Sequence, residues 1–284
     1  MHLGFIGLGH LGKAIAGRLL ERGHSLTIWN RTAGKAEGLK AEEARSPRGV
    51  AEKADIVFVC LFDSAAVGSV FEMEGGLLST DLSGKVIVDL STNHYRETPA
   101  FHEVIRKAGG TYLEAPVLGS VVPAAQGALT VLVSGETTGY EKARPALEDI
   151  GKQIFYLAEP ARATKMKLIN NLCLGGFMAA IAEAVSFGED VGIARKDVLD
   201  ILAAGAGQSL VLNAKKTKLL EGDFSTHFSS ALMYKDLHCL EDLAYERKRS
   251  LPAAATVKEL FARTFEEGIE NEDFSAVYKL YKRR

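Results

Sequence analysis

The length of 284 residues favours two packed units over a single hydrophobic core. With 47% hydrophobic and 25% charged residues, the chain has the composition of an ordinary globular protein, which argues against a disordered or low-complexity polypeptide. Lys+Arg 34 and Asp+Glu 36 leave a formal charge of -2, so the charge gives no reason to expect nucleic acid or an anionic membrane as the main partner.

Short β-rich runs separated by helical periods fill the chain from residue 1 to about 160, an alternation typical of a parallel sheet with helices on both faces. Between the first two strands, Leu11, Ile15, Leu19 and Leu20 recur at helical spacing and complete a βαβ unit. The predicted strands are Leu3–Ile6, Ser25–Trp29, Ile56–Cys60, Val86–Asp89, Thr111–Glu114, Thr130–Ser134 and Ile154–Leu157.

After Pro160 the strand pattern ends and helical periods follow. Lys165–Val191 is predicted as one long helix whose small and apolar residues lie on more than one face, which indicates burial on several sides. We predict an α/β domain with a parallel-rich sheet over residues 1–162 and an all-α domain, beginning with this interdomain helix, over residues 163–284. Further helices are predicted at Asp197–Ala204, Leu232–Glu246, Ala253–Glu266 and Phe274–Tyr281.

The three cysteines, Cys60, Cys173 and Cys239, are widely spaced and odd in number. This spacing predicts neither a disulfide framework nor a clustered metal site, and it fits a reducing cytoplasm. Glycines rather than a cleavage site follow the first apolar run, so we expect no signal peptide. The apolar stretches fall short of the roughly 20 residues of a membrane helix, which predicts a soluble protein.

A glycine-rich turn, Gly7-Leu8-Gly9-His10-Leu11-Gly12, follows the first predicted strand and opens the first predicted helix. Gly7 permits a tight turn, Gly9 lets the backbone approach a pyrophosphate, and Gly12 lets the helix pack closely on the strand. The N–H groups at the helix N-terminus then face the phosphates. The alternative is a turn that binds nothing, but this motif opens a full βαβ unit. We therefore predict a Rossmann domain in which all six residues contact a dinucleotide.

The end of the second predicted strand carries Asn30, Arg31 and Thr32, where NAD-binding domains have an acidic residue. A guanidinium group pairs bidentately with the 2′-phosphate of NADP, whereas a carboxylate repels it. The sequence therefore predicts NADP (NADPH) as the cofactor, held in part by these three residues. Lys35 either assists Arg31 or is a solvated surface lysine.

Two further loops follow predicted strands at the same carboxyl edge of the sheet, where open α/β sheets bind ligands. We predict that the dinucleotide contacts Leu61, Phe62 and Ala66 in one region and Thr92 in the other, with Ser91 at the substrate. The alternative for Asp89 and Ser91 is a turn-capping role, because such residues commonly bond to local backbone.

Four motifs in order resemble those of the β-hydroxyacid dehydrogenase family, which includes 3-hydroxyisobutyrate, tartronate semialdehyde and succinic semialdehyde/glyoxylate reductases. Gly7–Gly12 is similar to its cofactor motif and Glu114–Ser120 to its substrate loop. Lys167–Asn171 is similar to its catalytic stretch and Lys235-Asp236 to its C-terminal cofactor and substrate contact. The ending Asp273–Tyr278 is most similar to the semialdehyde and glyoxylate reductase branch.

The resemblance implies that Lys167 is the acid–base residue and that Asn171 assists it. The two residues are four apart on a predicted helix and therefore share one face. An ammonium group there can protonate a carbonyl oxygen while the Asn171 amide orients the lysine or the substrate. From the residues alone, Lys165 and Lys167 are not distinguished. The resemblance also implies substrate contacts from Lys167, Asn171, Lys235 and Asp236.

The substrate loop departs from the family at Leu118, where a serine usually helps to hold the substrate carboxylate. Leucine donates no hydrogen bond. Either the backbone N–H groups of Gly119 and Ser120, together with the Ser120 hydroxyl, hold the carboxylate, or the substrate carries a less polar group there. Imine reductases also vary this loop, but they replace the catalytic lysine that this chain retains as Lys167.

We therefore predict an NADPH-dependent reductase of a small aldehyde or keto acid, of semialdehyde or glyoxylate type, that also catalyses the reverse oxidation. One alternative is a reductase of a less polar carbonyl or an imine. Another is a non-catalytic NADP-binding module, since fold alone does not give function. The predicted partners are a small-molecule substrate and further copies of the chain in a homodimer or homotetramer, with no metal, nucleic acid or membrane.

Overall fold

The structure is a computed structural model that describes residues 1–282. The chain forms two compact units, Met1–Lys167 and Leu168–Arg284. The first unit is α/β and the second is helical, which confirms the predicted fold class. The predicted domain limits, 1–162 and 163–284, stay a prediction, and residues 283–284 lie outside the described part of the chain.

The strands of the first unit form one sheet in the order β3-β2-β1-β4-β5-β6-β8-β7, with β9 paired to β8. From β3 to β6 all neighbours are parallel. β8 runs antiparallel to both β6 and β7, so the sheet is parallel-rich and not wholly parallel. The strands are β1 (His2–Ile6), β2 (Ser25–Trp29), β3 (Glu42–Glu43), β4 (Ile56–Val59), β5 (Val86–Asp89), β6 (Thr111–Glu114), β7 (Val117–Leu118), β8 (Leu129–Gly135) and β9 (Gly151–Ala158).

Both faces of the sheet are buried at the central strands β4 and β5, whose alternate residues point to opposite sides. Phe5 and Phe58 pack into one apolar cluster with Ile15 of the first helix, whereas their neighbours Ile6 and Val57 pack into a second cluster. The helices of this unit are α1 (His10–Glu21), α2 (Pro47–Lys53), α3 (Ser64–Glu72), a 3₁₀ turn (Leu77–Ser79), α4 (Thr98–Lys107), α5 (Val121–Ala125) and α6 (Thr137–Ile150).

The second unit packs helices around one apolar cluster that includes Met178, Leu237, Phe261 and Tyr278. Its longest helix, α7, begins in the first unit at Arg162 and ends at Asp190. The other helices are α8 (Arg195–Ala204), α9 (Leu210–Glu221), α10 (Ser230–Glu246), α11 (Pro252–Glu266) and a 3₁₀ helix (Phe274–Tyr281).

The predicted strands and helices are all present, but the sequence prediction missed β3, β7 and α9. β3 and β7 have two residues each, too few to show alternation. α9 buries Lys215 and Lys218, so its buried face does not follow an apolar period. An ion pair with Asp273 compensates the burial of the Lys215 charge, and Nζ lies 2.8 Å from the Asp273 carboxylate.

By length and composition α7 passes the test for a membrane span, with a mean hydropathy of 1.5 in its most apolar window. The prediction that no segment is long and apolar enough was therefore wrong, because Gly and Asn interrupt the apolar runs of α7 without adding charge. Met178, Ala182 and Val185 of this helix lie in the core cluster of the second unit. Such burial is typical of the core helix of a globular protein.

Candidate active site

The glycine-rich turn places α1 directly against the end of β1. Gly7 has φ +97°, and a Cβ there would lie 2.3 Å from the backbone oxygen of Cys60. At Gly12 a Cβ would lie 2.1 Å from the backbone oxygen of Gly7, so only glycine fits both positions. Gly9 is the N-cap of α1, supplies no side-chain cap, and faces open space. This cradle fits a phosphate group, since backbone can approach it and the helix N-terminus attracts anions.

Asn30 ties this turn to the end of β2. Its Oδ1 accepts a hydrogen bond from the N–H of Leu8 at 2.8 Å, and its Nδ2 donates to the backbone oxygen of Thr32 at 2.9 Å. Arg31 and Thr32 are exposed beside it, and within residues 1–282 no ion pair joins Arg31 to another side chain. The end of β2 therefore presents a guanidinium group where NAD-binding domains present a carboxylate.

The loops after β4 and β5 are joined by Ser91, whose Oγ accepts a hydrogen bond from the N–H of Leu61 at 2.9 Å. Asp63 caps α3 by accepting from the N–H of Ala66 at 2.8 Å. Phe62 is half exposed and Thr92 is partly buried at this carboxyl edge. The Ser91 hydroxyl thus bonds to the backbone of a neighbouring loop and not to its own turn, and its contact with substrate stays a prediction.

Asp89 is fully buried at the end of β5 and accepts three hydrogen bonds. They come from the N–H of Ser91 at 2.8 Å, from Asn93 Nδ2 at 2.7 Å and from the Tyr112 hydroxyl at 2.7 Å. Burial raises the pKa of Asp89 against the opposing effect of these bonds, and burial also raises the pKa of Tyr112. Sequence reasoning placed the loop that contains Asn93 at this edge but missed Tyr112 and the bonds of both residues to Asp89.

The cysteine nearest to these loops offers no nucleophile. Burial raises the pKa of the Cys60 thiol to about 12, and the nearby Asp89 acts in the same direction. The thiolate is the reactive form of cysteine, so Cys60 is inert near neutral pH. No group of three or more His, Cys, Asp or Glu residues in the described part of the chain could hold a metal ion.

The predicted acid–base residue lies against the predicted substrate loop. Lys167 is 7% exposed, and its Nζ donates to the backbone oxygen of Val117 at 2.7 Å. Leu118 follows in β7, where it pairs with Thr130. Gly119 has φ +123° and is exposed, and Ser120 forms the N-cap of α5 without a side-chain cap bond. The structure thus brings Lys167 to the segment that the sequence assigned to substrate.

In the second unit, Asn171 is held by a buried carboxylate. Its Nδ2 donates to Asp236 Oδ2 at 2.6 Å, and both side chains are fully buried. Lys235 Nζ lies 2.9 Å from the other oxygen of Asp236. Asn171 follows Lys167 by one turn of α7, on the same helix face. The three residues of the C-terminal motifs therefore form one polar cluster.

A cavity of about 370 Å³ in the first unit contains none of the predicted site residues. Its walls carry both acidic and basic side chains, and the Arg106 guanidinium there is already paired with Glu103 at 2.9 Å. The cavity lies beside the end of β8, at the residues Pro99, His102, Glu103, Arg106, Gly110, Thr111, Tyr112, Gly135, Glu136, Ala158, Glu159 and Pro160.

Comparisons with known proteins give matches along the whole chain. Residues 2–158 match the NAD binding domain of 6-phosphogluconate dehydrogenase, and residues 161–281 match the NAD-binding domain of NADP-dependent 3-hydroxyisobutyrate dehydrogenase. The structure of Psf3 in complex with NADP+ and 2-OPP is similar, with a TM-score of 0.91 and 29% sequence identity over 99% of this chain and 100% of that chain.

Two relatives match almost all of this chain but differ in their own lengths. Human cytokine-like nuclear factor N-PAC is 35% identical over 98% of this chain, which spans about half (51%) of that protein's length. Glyoxylate/succinic semialdehyde reductase 1 of Arabidopsis thaliana is 34% identical over 99% of both chains. With the matched domains, this full-length similarity shows that the chain belongs to the β-hydroxyacid dehydrogenase family, related to 3-hydroxyisobutyrate dehydrogenase.

Proposed function

We propose that the protein is an NADPH-dependent reductase of small aldehydes or keto acids of the semialdehyde or glyoxylate type, and that it also catalyses the reverse oxidation. The main support is the buried amine of Lys167, which lies against Val117 at the entrance to the substrate loop. A full-length relative named glyoxylate/succinic semialdehyde reductase supports the substrate class. The bound cofactor supplies the hydride, and Lys167 Nζ donates a proton to the carbonyl oxygen.

This proposal is tested by NADPH consumption with glyoxylate, succinic semialdehyde, methylmalonate semialdehyde and neutral aldehydes of similar length. We expect kcat/KM to be about tenfold or more higher for the carboxylate substrates, because backbone N–H groups and cationic side chains stabilise a carboxylate by charge-assisted bonds. A preference for neutral aldehydes or imines would instead favour the less polar substrate class.

A non-catalytic NADP-binding module is the second candidate, and one observation favours it. N-PAC, which is named a nuclear factor and not an enzyme, is as similar to this chain as the reductase is. The same panel separates the two candidates, since such a module would bind NADPH and turn over no substrate. The buried Lys167 and Asn171 favour the enzyme.

The cofactor is held, in this proposal, by the phosphate cradle of Gly7–Gly12 and by polar and apolar groups around it. Arg31, two residues after β2, is exposed, and its guanidinium group is proposed to pair with the 2′-phosphate. Lys35, exposed nearby, either assists it or is a surface lysine. The remaining proposed contacts are Asn30, Thr32, Leu61, Phe62, Ala66, Thr92 and Lys235.

We expect Arg31→Asp to change the cofactor preference, because the new carboxylate repels the 2′-phosphate and accepts hydrogen bonds from a ribose. The ratio of kcat/KM for NADPH to that for NADH should fall about tenfold to a hundredfold, the equivalent of one charge-assisted bond. Lys40→Asp is the matched control, since it makes the same change of sign at an exposed residue of the same segment. An unchanged ratio in Arg31→Asp would refute the assignment.

Lys167 is proposed to transfer the proton and not to hold the dinucleotide. Lys167→Ala should therefore lower kcat by about a hundredfold to ten-thousandfold while the Kd for NADPH stays within about twofold. Steady-state kinetics and NADPH fluorescence titration measure the two quantities. Lys165→Ala, two residues away and on a different face of α7, should keep its turnover. Turnover near that of the wild type in Lys167→Ala would contradict the mechanism.

Asn171 and Asp236 complete the proposed catalytic group. Because Nδ2 of Asn171 donates to Asp236, its carbonyl oxygen Oδ1 is turned away from that carboxylate, where it accepts from Asn170 at 3.2 Å. An oxygen so fixed orients an ammonium or a substrate hydroxyl. Lys235, beside Asp236, adds a positive charge for the substrate carboxylate or the cofactor.

The carboxylate of the substrate is proposed to contact the backbone N–H groups of Gly119 and Ser120, the Ser120 hydroxyl and Ser91. Leu118, half buried in β7, contributes apolar surface at this loop. The turn requires glycine at position 119 for two reasons. Its φ of +123° is unfavourable for residues with a Cβ, and an added Cβ would lie only 2.7 Å from the Leu129 side chain. Residue 119 must therefore be glycine for the loop to adopt this shape.

Leu118→Ser should raise the selectivity for carboxylate substrates, since a serine hydroxyl adds one charge-assisted hydrogen bond of about 1.5–3 kcal/mol. The ratio of kcat/KM for succinic semialdehyde to that for a neutral aldehyde of similar length should rise about tenfold to a hundredfold. Leu118→Ala is the control, because it removes the same apolar group without adding a donor. A thermally stable Leu118→Ser variant whose ratio equals that of Leu118→Ala would show that residue 118 does not face the substrate.

We further propose a reducing, cytoplasmic setting and a homodimer or homotetramer. The three cysteines are all free thiols. Large apolar side chains are exposed along α7 in the second unit, including Ile169, Phe177 and Phe187, the last two at least half exposed. Exposed apolar side chains on one helix are typical of an interface between protein chains.

A further inference from the structure

The first turn of α7, the helix that carries Lys167, has no local side-chain cap. Helices usually begin after Ser, Thr, Asp or Asn, whose side chains accept from the first N–H groups. Here Pro160 and Ala161 precede the helix, and neither has a polar side chain. Ala161 has φ +66° and Ala158 has φ +60°, which are unfavourable for residues with a Cβ. Other parts of the first unit must therefore hold this helix start.

Glu114, the last residue of β6, accepts hydrogen bonds from this turn. Its carboxylate takes the N–H of Ala161 on one oxygen and, on the other, both the N–H of Thr164 at 3.2 Å and the Thr164 hydroxyl at 2.6 Å. His102 Nε2 lies 3.1 Å from the first oxygen and, in the tautomer protonated there, is a fourth donor. The carboxylate is 1% exposed, so these four groups replace its hydration.

A second acceptor from the sheet completes the cap. Ser134 Oγ of β8 accepts from the N–H of Ala163 at 2.9 Å. Glu114 and Ser134 are direct partners in the antiparallel pairing of β6 with β8. The side chains that accept from the first N–H groups of α7 therefore come from one cross-strand pair of the sheet, whereas the preceding residues accept through backbone oxygens, such as that of Glu159 from the N–H of Arg162 at 3.2 Å.

The segment from Glu114 to Val117 contacts α7 a second time, one helical turn later. Val117 follows Glu114 by three residues, and its backbone oxygen accepts from Lys167 Nζ, which follows Thr164 by three residues. Glu114 thus fixes the helix at one turn, and Val117 meets the amine at the next. The distance from Nζ to the loop Leu118–Ser120 depends on both attachments.

We propose that Glu114 is a positioning residue for Lys167: by capping α7 from the sheet, it holds the amine at the substrate loop. Glu114 is 1% exposed, so we assign it no contact with substrate or cofactor. The inference rests on the acid–base role proposed for Lys167. A carboxylate is required, because four donors meet its two oxygens and an amide would turn its NH₂ group toward one of them.

The first test compares Glu114→Ala with Ser46→Ala, which removes an ordinary local cap, that of α2, in the same unit. Both variants should have lower Tm values. Glu114→Ala should also lower kcat by about tenfold to a hundredfold, as small misplacements of reacting groups do, with the Kd for NADPH within about twofold. Ser46→Ala should keep kcat. Equal kcat values in the two folded variants would overturn the proposal.

A second pair of variants applies even if Glu114→Ala fails to fold. Thr164→Val keeps the volume but loses the hydroxyl that donates to Glu114, whereas Thr164→Ser keeps the hydroxyl and loses a methyl group. We expect Thr164→Val to lower kcat severalfold and Thr164→Ser to retain most of it. The reverse order would mean that packing and not the hydrogen bond matters, which contradicts the proposal.

A readout without turnover separates this proposal from the proposed function. Acetic anhydride labelling, resolved by peptide mass spectrometry, reports how well Lys167 is protected. Labelling of Lys167 should be severalfold faster in Glu114→Ala and in Thr164→Val than in the wild type, with no change in Ser46→Ala. Unchanged labelling in both cap variants would overturn the positioning role. A wild-type protein inactive on the whole substrate panel would instead refute the proposed function, whatever the labelling shows.

Discussion

The arrangement of the first unit follows from one constraint, that a parallel sheet must bury both of its faces. With helices over each face, only the strand ends remain for binding, and the chain reverses its direction of sheet growth between β1 and β4. Gly7, Leu61 and Ser91 therefore come together at one edge although they are far apart in sequence. The 2.1 Å that would separate a Gly12 Cβ from the Gly7 oxygen shows how closely α1 must lie to make this edge a phosphate cradle.

Four fully or almost fully buried carboxylates each join segments that lie far apart in the sequence. Asp89 joins the loop after β5 to Tyr112, Glu114 holds the start of α7, and Asp236 holds Asn171. Asp273 pairs with Lys215 and orders the C-terminal 3₁₀ helix through Ser275. A buried carboxylate is costly unless several donors surround it, so each fixes its partners in one arrangement. Proposed catalytic residues and purely structural ones are held by the same means.

The sequence predicted those elements that local residue types or hydrophobic periodicity encode. Ser25–Trp29, Val86–Asp89 and Thr111–Glu114 have the predicted bounds, because each is a short β-rich run that begins one or two residues after a glycine. Lys167 could not be separated from Lys165 by spacing alone; the family resemblance selected it, and in the structure Lys167 is the more buried of the two. Contacts between residues 50 apart, such as Glu114 with Thr164, leave no local pattern, so the cap of α7 was not predicted.

A cap from the sheet does something that a local cap cannot. A serine at the helix start would accept from one of these N–H groups and contribute about 1 kcal/mol, but it would fix α7 only to its own preceding residues. Glu114 fixes the helix to the strand that leads into the substrate loop. On α7, Lys167 lies three residues after Thr164, which Glu114 holds, and four residues before Asn171, which Asp236 holds. A long, flexible lysine side chain thus stands between two anchored turns, and this limits the freedom of its amine before any substrate binds.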